Sequence, residues 1–158
     1  MSKNKRALIV LRHLNKIYPK ISVPLKHRNL FTLLVSVALS AQTTDVNVNK
    51  ATKTIYPKYN KPEHFLKLGR KKIEKLIRST GFFKRKAKSV YLLSKQLVKK
   101  HGGKVPRNFE DLENLHGVGH KTASVVMSQG FGYPAFPVDT HIHRLAQRWG
   151  LTSGKNVI

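Results

Sequence analysis

The run Leu115-His116-Gly117-Val118-Gly119-His120-Lys121-Thr122 sets two glycines around a single apolar residue, between two segments whose apolar side chains recur at helical spacing. Such a run makes a tight hairpin whose backbone N–H groups can come against a phosphate, with Lys121 opening the next helix. Upstream, Phe109, Leu112 and Leu115 fall on one helical face; downstream, Ala123, Val126 and Met127 do the same. The pattern is a helix, a hairpin and a second helix over about residues 108–129. Gly117, Val118, Gly119, His120 and Thr122 are then the candidate backbone-binding residues, because such loops hold a phosphodiester chain without reading its sequence. Lys121 has two readings from the residues alone. It is a point charge on a phosphate, or it is a nucleophile, since a positive helix end and a basic chain both favour the neutral amine that attacks carbon. Asp139, in Val138-Asp139-Thr140-His141, is the candidate carboxylate partner and equally a helix cap.

Outward from the hairpin the chain reads as all-α. Leu8, Leu11, Leu14 and Ile17 mark an amphipathic first helix ahead of Pro19. Residues 30–41 are apolar nearly all round and predict a buried central helix. Ser40 to Asp45 offers several caps for a helix to about Tyr56, closed by Pro57. Pro62 opens a short helix through Leu68, and Lys71 to Thr80 predicts another that Gly81 stops. Ala87, Val90, Tyr91, Leu97 and Val98 mark a long helix with a basic outer face, ended by Gly102-Gly103. A last helix runs from Asp139 or Thr140 through Trp149. The count is about nine helices, with no convincing strand and no internal repeat.

Composition narrows the partner. Thirty-one Lys and Arg against seven Asp and Glu give a formal charge of +24, which points to a polyanion, nucleic acid first. The same excess is also what a Lys-rich, solvated surface would show. With no cysteine there is no disulfide, thiolate zinc site or cysteine-held iron-sulfur cluster to be formed by these residues. The basic start lacks a signal-type cleavage site and no apolar run reaches spanning length, so a cytoplasmic protein without a membrane partner is expected.

Three further features carry alternatives. His116, His120, His141 and His143 do not place three ligands on one helix face, so no metal is expected and phosphate contact or exposure accounts for them. Phe82 and Phe83 follow Gly81 and precede Lys84, Arg85, Lys86 and Lys88: one ring packs in the core, or Phe82 is a wedge where a base has been pushed out of a duplex. Gln42, polar at the end of an apolar helix, is an ordinary terminus or a second plug.

At this point a resemblance is specific. Leu39-Ser40-Ala41-Gln42-Thr43-Thr44-Asp45 with Val48-Asn49-Lys50-Ala51-Thr52, then Gly117-Val118-Gly119-His120-Lys121-Thr122-Ala123, then Val138-Asp139-Thr140-His141 resemble, in order, three segments of the endonuclease III family of DNA glycosylases. The likeness runs from the first helix to Gly154-Lys155-Asn156-Val157. It implies a helix-hairpin-helix DNA glycosylase fold, with residues 1–22 as the N-terminal helix of an incomplete second domain, 23–135 as a six-helix barrel, and 136–158 as a truncated return to that second domain. It implies a bifunctional base excision repair enzyme in which Lys121 attacks the sugar carbon of an oxidised pyrimidine in duplex DNA, Asp139 assists, and the strand is cut at the abasic site. Gln42 and Phe82 match the family's hole-filling positions. A monomer acting on damaged or abasic double-stranded DNA, in a bacterial nucleoid, goes with this.

The chain departs from the pattern in places. His116 and His120 stand where the family usually has proline and arginine, which alters hairpin rigidity and phosphate contact, and His143 stands where an apolar residue is common. The four cysteines that usually hold an iron-sulfur cluster are missing, so no cofactor is expected in this chain. The ending reads as the start of a further element, and Leu8, Leu11, Leu145 and Trp149 are expected to expose apolar surface. A non-catalytic module that binds backbone or abasic sites, and an RNA-binding protein, are the competing readings; Lys121→Ala would cost the first only some affinity, but an enzyme its covalent chemistry.

Overall fold

The computed structural model describes residues 1–20 and 24–155. Among them are nine α-helices and no strand: α1 Lys3–Ile17, α2 Leu30–Leu39, α3 Asp45–Ile55, α4 Pro62–Leu68, α5 Arg70–Leu76, α6 Phe83–His101, α7 Phe109–Glu113, α8 His120–Val125 and α9 Thr140–Arg148. They form two compact units, Pro24–Pro137 and Met1–Val23 with Val138–Ile158. The expected boundary at residues 22 and 23, and the likeness at Asn156-Val157, lie outside the described residues.

The larger unit is built around α2. Asn29 caps it with a reciprocal pair: the Asn29 carboxamide accepts from the Thr32 N–H at 2.9 Å, and the Thr32 hydroxyl accepts from the Asn29 N–H at 2.9 Å. From Phe31 to Val37 every residue is buried, so the helix that was apolar all round sits inside the unit. Its polar groups find partners: Tyr56 donates to the Thr32 carbonyl at 3.0 Å and lies 2.6 Å from the Ser36 hydroxyl. Burial pushes the Tyr56 phenol well above its ordinary range, so it stays neutral and serves only as a hydrogen-bonding strut. Phe31 meets Phe65 of α4 edge to face at 5.4 Å.

The long helix α6 turns Lys86, Ala87, Val90, Leu93, Ser94 and Leu97 inward, packing on α4, α5 and α2. Two details differ from the sequence reading. The expected single helix from Lys71 to Thr80 breaks after α5: Ile77 takes φ −101° and ψ 13°, and a 3₁₀ turn, Arg78–Thr80, follows. Ile77 and Thr80, on either side of the break, are both buried. Lys86, read as part of a basic exposed turn, is instead only 7% exposed. Its ammonium donates to the Thr80 carbonyl at 2.6 Å, and burial holds its pKa below the usual lysine value. It ties α6 to the 3₁₀ turn.

The smaller unit holds α1 and α9. Neither helix buries a residue; Leu8, Leu11 and Trp149 are exposed, while Leu145 is half-buried. Ser2 caps α1, Asp139 caps α9, and the side chains of His143 and Gln147 meet the Gly154 carbonyl at 3.0 and 2.8 Å.

Candidate functional site

The hairpin forms where it was expected, between α7 and α8. Asn108 caps α7 by accepting from the Asp111 N–H at 2.8 Å, and Asn114 ends it. Leu115 and Val118 turn into the core, so Val118 can offer a ligand only its backbone. Val118 N–H donates to the Leu115 carbonyl at 3.1 Å, closing the turn. The two glycines have different reasons. Gly117 lies at φ +76°, and a Cβ there would stand 2.8 Å from the Cβ and Oγ of Ser89 on α6, so both conformation and space demand glycine. Gly119, the α8 N-cap at φ −94°, could carry a side chain as far as this chain is concerned, with open space within 4 Å of its Cβ position. A bare backbone facing open space at a helix start is the surface that a phosphate can approach.

His120 opens α8. Its Nδ1 lies 2.6 Å from Glu113 Oε1, and its ring stacks on Phe109 at 5.4 Å, with Tyr133 edge-on to Phe109 at 5.9 Å. The side chain is therefore held by a carboxylate and an aromatic face. Sequence reading missed this pairing, which links residues seven apart across the hairpin. Lys121 follows, exposed, and past Val125 the helix widens into a π turn, Val126–Gly130.

Two clefts in the larger unit collect most of the remaining candidates. One, of about 390 Å³, is lined by Lys121, Thr122, Val125 and Gln129 on one wall and by Val37, Ser40, Ala41 and Gln42 on the other, with Pro24 and Leu25. The other, of about 670 Å³, is lined by Gln42, Phe82, Ser89, His116 and Gly117, with Ala38, Ala41, Arg85, Lys86 and Lys88. Ala41 and Gln42 belong to both. Gln42 and Phe82 share a further property: they are the non-glycine residues of the described chain with positive φ, +53° and +46°. A left-handed conformation costs such residues on the order of 1 kcal/mol or more, and it is kept where the surrounding structure over-determines it. Phe82 is 65% exposed and lines the cleft, while Phe83 is half-buried.

Lys84 is exposed and lines neither cleft; Arg85 and Lys88, one helical step around α6, take that place. Asp139 belongs to the smaller unit, where its carboxylate accepts from the Ile142 N–H at 2.8 Å as the α9 cap. An iron-sulfur cluster finds no ligand set in these residues: the chain has no cysteine, and among the described residues no three His, Asp or Glu side chains are grouped to hold a metal ion.

Residues 35–157 match the HhH-GPD superfamily base excision DNA repair protein family. Endonuclease III of Bacillus subtilis (strain 168) is 42% identical over 154 residues, which is 98% of this chain and 70% of that protein. Among solved structures, a non-covalent endonuclease III-DNA complex superposes with a TM-score of 0.92 at 40% identity, covering 99% of this chain and 72% of the other. A trapped endonuclease III-DNA covalent intermediate, the estranged-adenine complex, gives the same TM-score and identity, covering 99% and 73%. The chain belongs to the endonuclease III family, within the helix-hairpin-helix superfamily of base excision DNA repair proteins. Its function is base excision repair by glycosylase and lyase chemistry on DNA.

Proposed function

We propose that Lys121 is the nucleophile of this chemistry, on duplex DNA carrying an oxidised pyrimidine or an abasic site, with the protein working as a monomer in the cytoplasm at the bacterial nucleoid. The observation that carries the reading is the position of Lys121: it is the second residue of the helix after the hairpin and lines a cleft opposite Gln42, next to the cleft over which Phe82 stands. Backbone contact, nucleophile and hole-filling side chains are thereby assembled in one unit.

The residues then act in sequence. The hairpin backbone at Gly117, Val118 and Gly119 holds a phosphate, with His120 and Thr122 beside it and Lys84 giving longer-range attraction. Phe82 and Gln42 occupy the space vacated when the target nucleotide leaves the stack. The neutral Lys121 amine forms a bond to C1′ as the bond from C1′ to the base breaks, and the base leaves as its anion and takes up a proton. The attached nitrogen loses a proton, its lone pair then breaks the C1′–O4′ bond as O4′ takes up a proton, and the iminium so formed draws electrons from the neighbouring C2′–H bond; loss of that proton expels the 3′ phosphate by β-elimination. Asp139 supplies negative charge for the developing sugar cation; that part rests on the family resemblance. The relative solved as a trapped covalent intermediate with DNA supports a covalent route.

Borohydride reduction of a mixture with duplex DNA bearing one abasic site tests the reading. Wild type should give a covalent protein-DNA adduct and Lys121→Ala none, with duplex binding retained by both. An equal adduct from Lys121→Ala would place the nucleophile elsewhere, and binding without an adduct from folded wild type would leave a backbone-binding module.

A further inference from the structure

Lysines and arginines line clefts all round the larger unit, so charge alone marks out none of them. Gln96 is marked out by geometry. Its carboxamide is half-buried on α6, and both of its polar atoms are spent on the backbone that enters the hairpin. Nε2 donates to the Asn114 carbonyl at 3.0 Å, and Oε1 accepts from the His116 N–H at 2.6 Å. Asn114 is where α7 ends, and His116 is the residue before Gly117. Leu115 between them is buried, so three consecutive residues are held at the point where the chain turns. A histidine at 116 leaves its own φ unrestrained and brings an N–H that needs an acceptor. The Gln96 carboxamide answers both.

The same helix sets the other edge of the hairpin. Ser89 and Gln96 are seven residues apart on α6, two turns along one face, and Ser89 is the residue against which Gly117 makes its close approach. The hairpin therefore lies along one stripe of a 19-residue helix, beside the residues that helix turns into the core, with Leu93 buried between the two contacts. Ser89 limits how near it comes, and Gln96 fixes where along the helix it sits. We propose that Gln96 is a positioning residue that presents the hairpin backbone to the DNA phosphate, acting on duplex affinity and leaving the covalent step itself untouched. This rests on the reading of the hairpin as the DNA-backbone contact.

Gln96→Met keeps length and helix propensity and removes both hydrogen bonds. Three measurements follow on the full chain. Backbone amide exchange, read by NMR without DNA, should become about fivefold or more faster at His116, the loss of about one net hydrogen bond, with α6 amides unchanged. The dissociation constant for a duplex carrying a non-cleavable abasic analogue should rise by a similar factor, about fivefold. The borohydride trapping rate at saturating abasic duplex should stay within about twofold of wild type. General damage to the fold would lower affinity and trapping rate together and would quicken exchange in α6. Unchanged His116 exchange overturns the clamp. Faster exchange with unchanged affinity overturns its role in positioning. Wild type that shows a protected His116 amide but no duplex binding sinks the hairpin reading and the positioning role with it.

Discussion

Gly117→Ala is the perturbation whose cost the structure lets one work out in parts. At φ +76° an alanine pays a left-handed penalty of roughly 1 to 2 kcal/mol that glycine does not. Its Cβ would stand 2.8 Å from Ser89 Cβ and Oγ, closer than two such atoms can sit. Ser89 Oγ can rotate away but Ser89 Cβ is fixed by the helix backbone, so α6 or the hairpin must move. Forced overpacking of this kind costs about 1 to 3 kcal/mol. The sum is about 2 to 4 kcal/mol, since the hairpin edge is exposed and can relax in part. Ser89→Gly separates the two contributions: it removes the atoms that clash but leaves φ unaltered, at about 1 kcal/mol for glycine inside a helix. Urea denaturation of wild type, both single variants and the double variant gives the cycle. The double variant should be less destabilised than the sum of the singles by about 1 to 2 kcal/mol. Duplex affinity should fall with Gly117→Ala and recover in part with Ser89→Gly. A Gly117→Ala cost under about 0.5 kcal/mol, or strict additivity in the cycle, would refute the close approach of hairpin and α6.

Substitutions at two other positions test the strained and capping residues. Phe82→Gly removes an exposed ring from a left-handed residue. Relief of backbone strain and the added freedom of the unfolded chain nearly cancel, so stability should change by no more than about 0.5 kcal/mol in urea unfolding. Glycosylase turnover on a damaged base should nevertheless drop roughly tenfold, since the wedge is gone; unchanged turnover would return Phe82 to a merely exposed turn residue. Asp139→Ser retains an N-cap oxygen for the Ile142 N–H, whereas Asp139→Ala loses it at about 1 kcal/mol. If Asp139 acts through its charge, both variants should lose borohydride trapping to a similar degree while differing in stability. Trapping that survives in Asp139→Ser would leave the residue as a cap alone.

The elements legible in the chain were those whose cause is local. The run at residues 30–41, apolar nearly all round, has only one place to go, the interior. Gly102 and Gly103 end α6, Pro62 starts α4, and Asp139 caps α9, all through contacts within a few residues. The hairpin was legible for the same reason: Gly117 at positive φ and the apolar faces on either side are written in consecutive residues. The family likeness added an assignment of roles that no periodicity contains.

What the chain left open depended on residues far apart in sequence. A run of Lys84, Arg85, Lys86 and Lys88 gives no sign that one ammonium is buried on the Thr80 carbonyl, because that depends on α5 breaking at Ile77. Gln42 and Phe82, forty residues apart, share one cleft and one unusual backbone conformation, which only the packing of α6 beside the end of α2 could bring about. Gln96 reads as a polar residue on a helix face until Asn114 and His116 are found against it. Capping, helix periodicity and turn geometry are settled by neighbours in the chain, so the sequence alone determined the all-α fold and the hairpin. Which lysine is buried, which polar side chain steadies the hairpin and which residues share a cleft are set by long-range packing, and for these the tertiary structure decided.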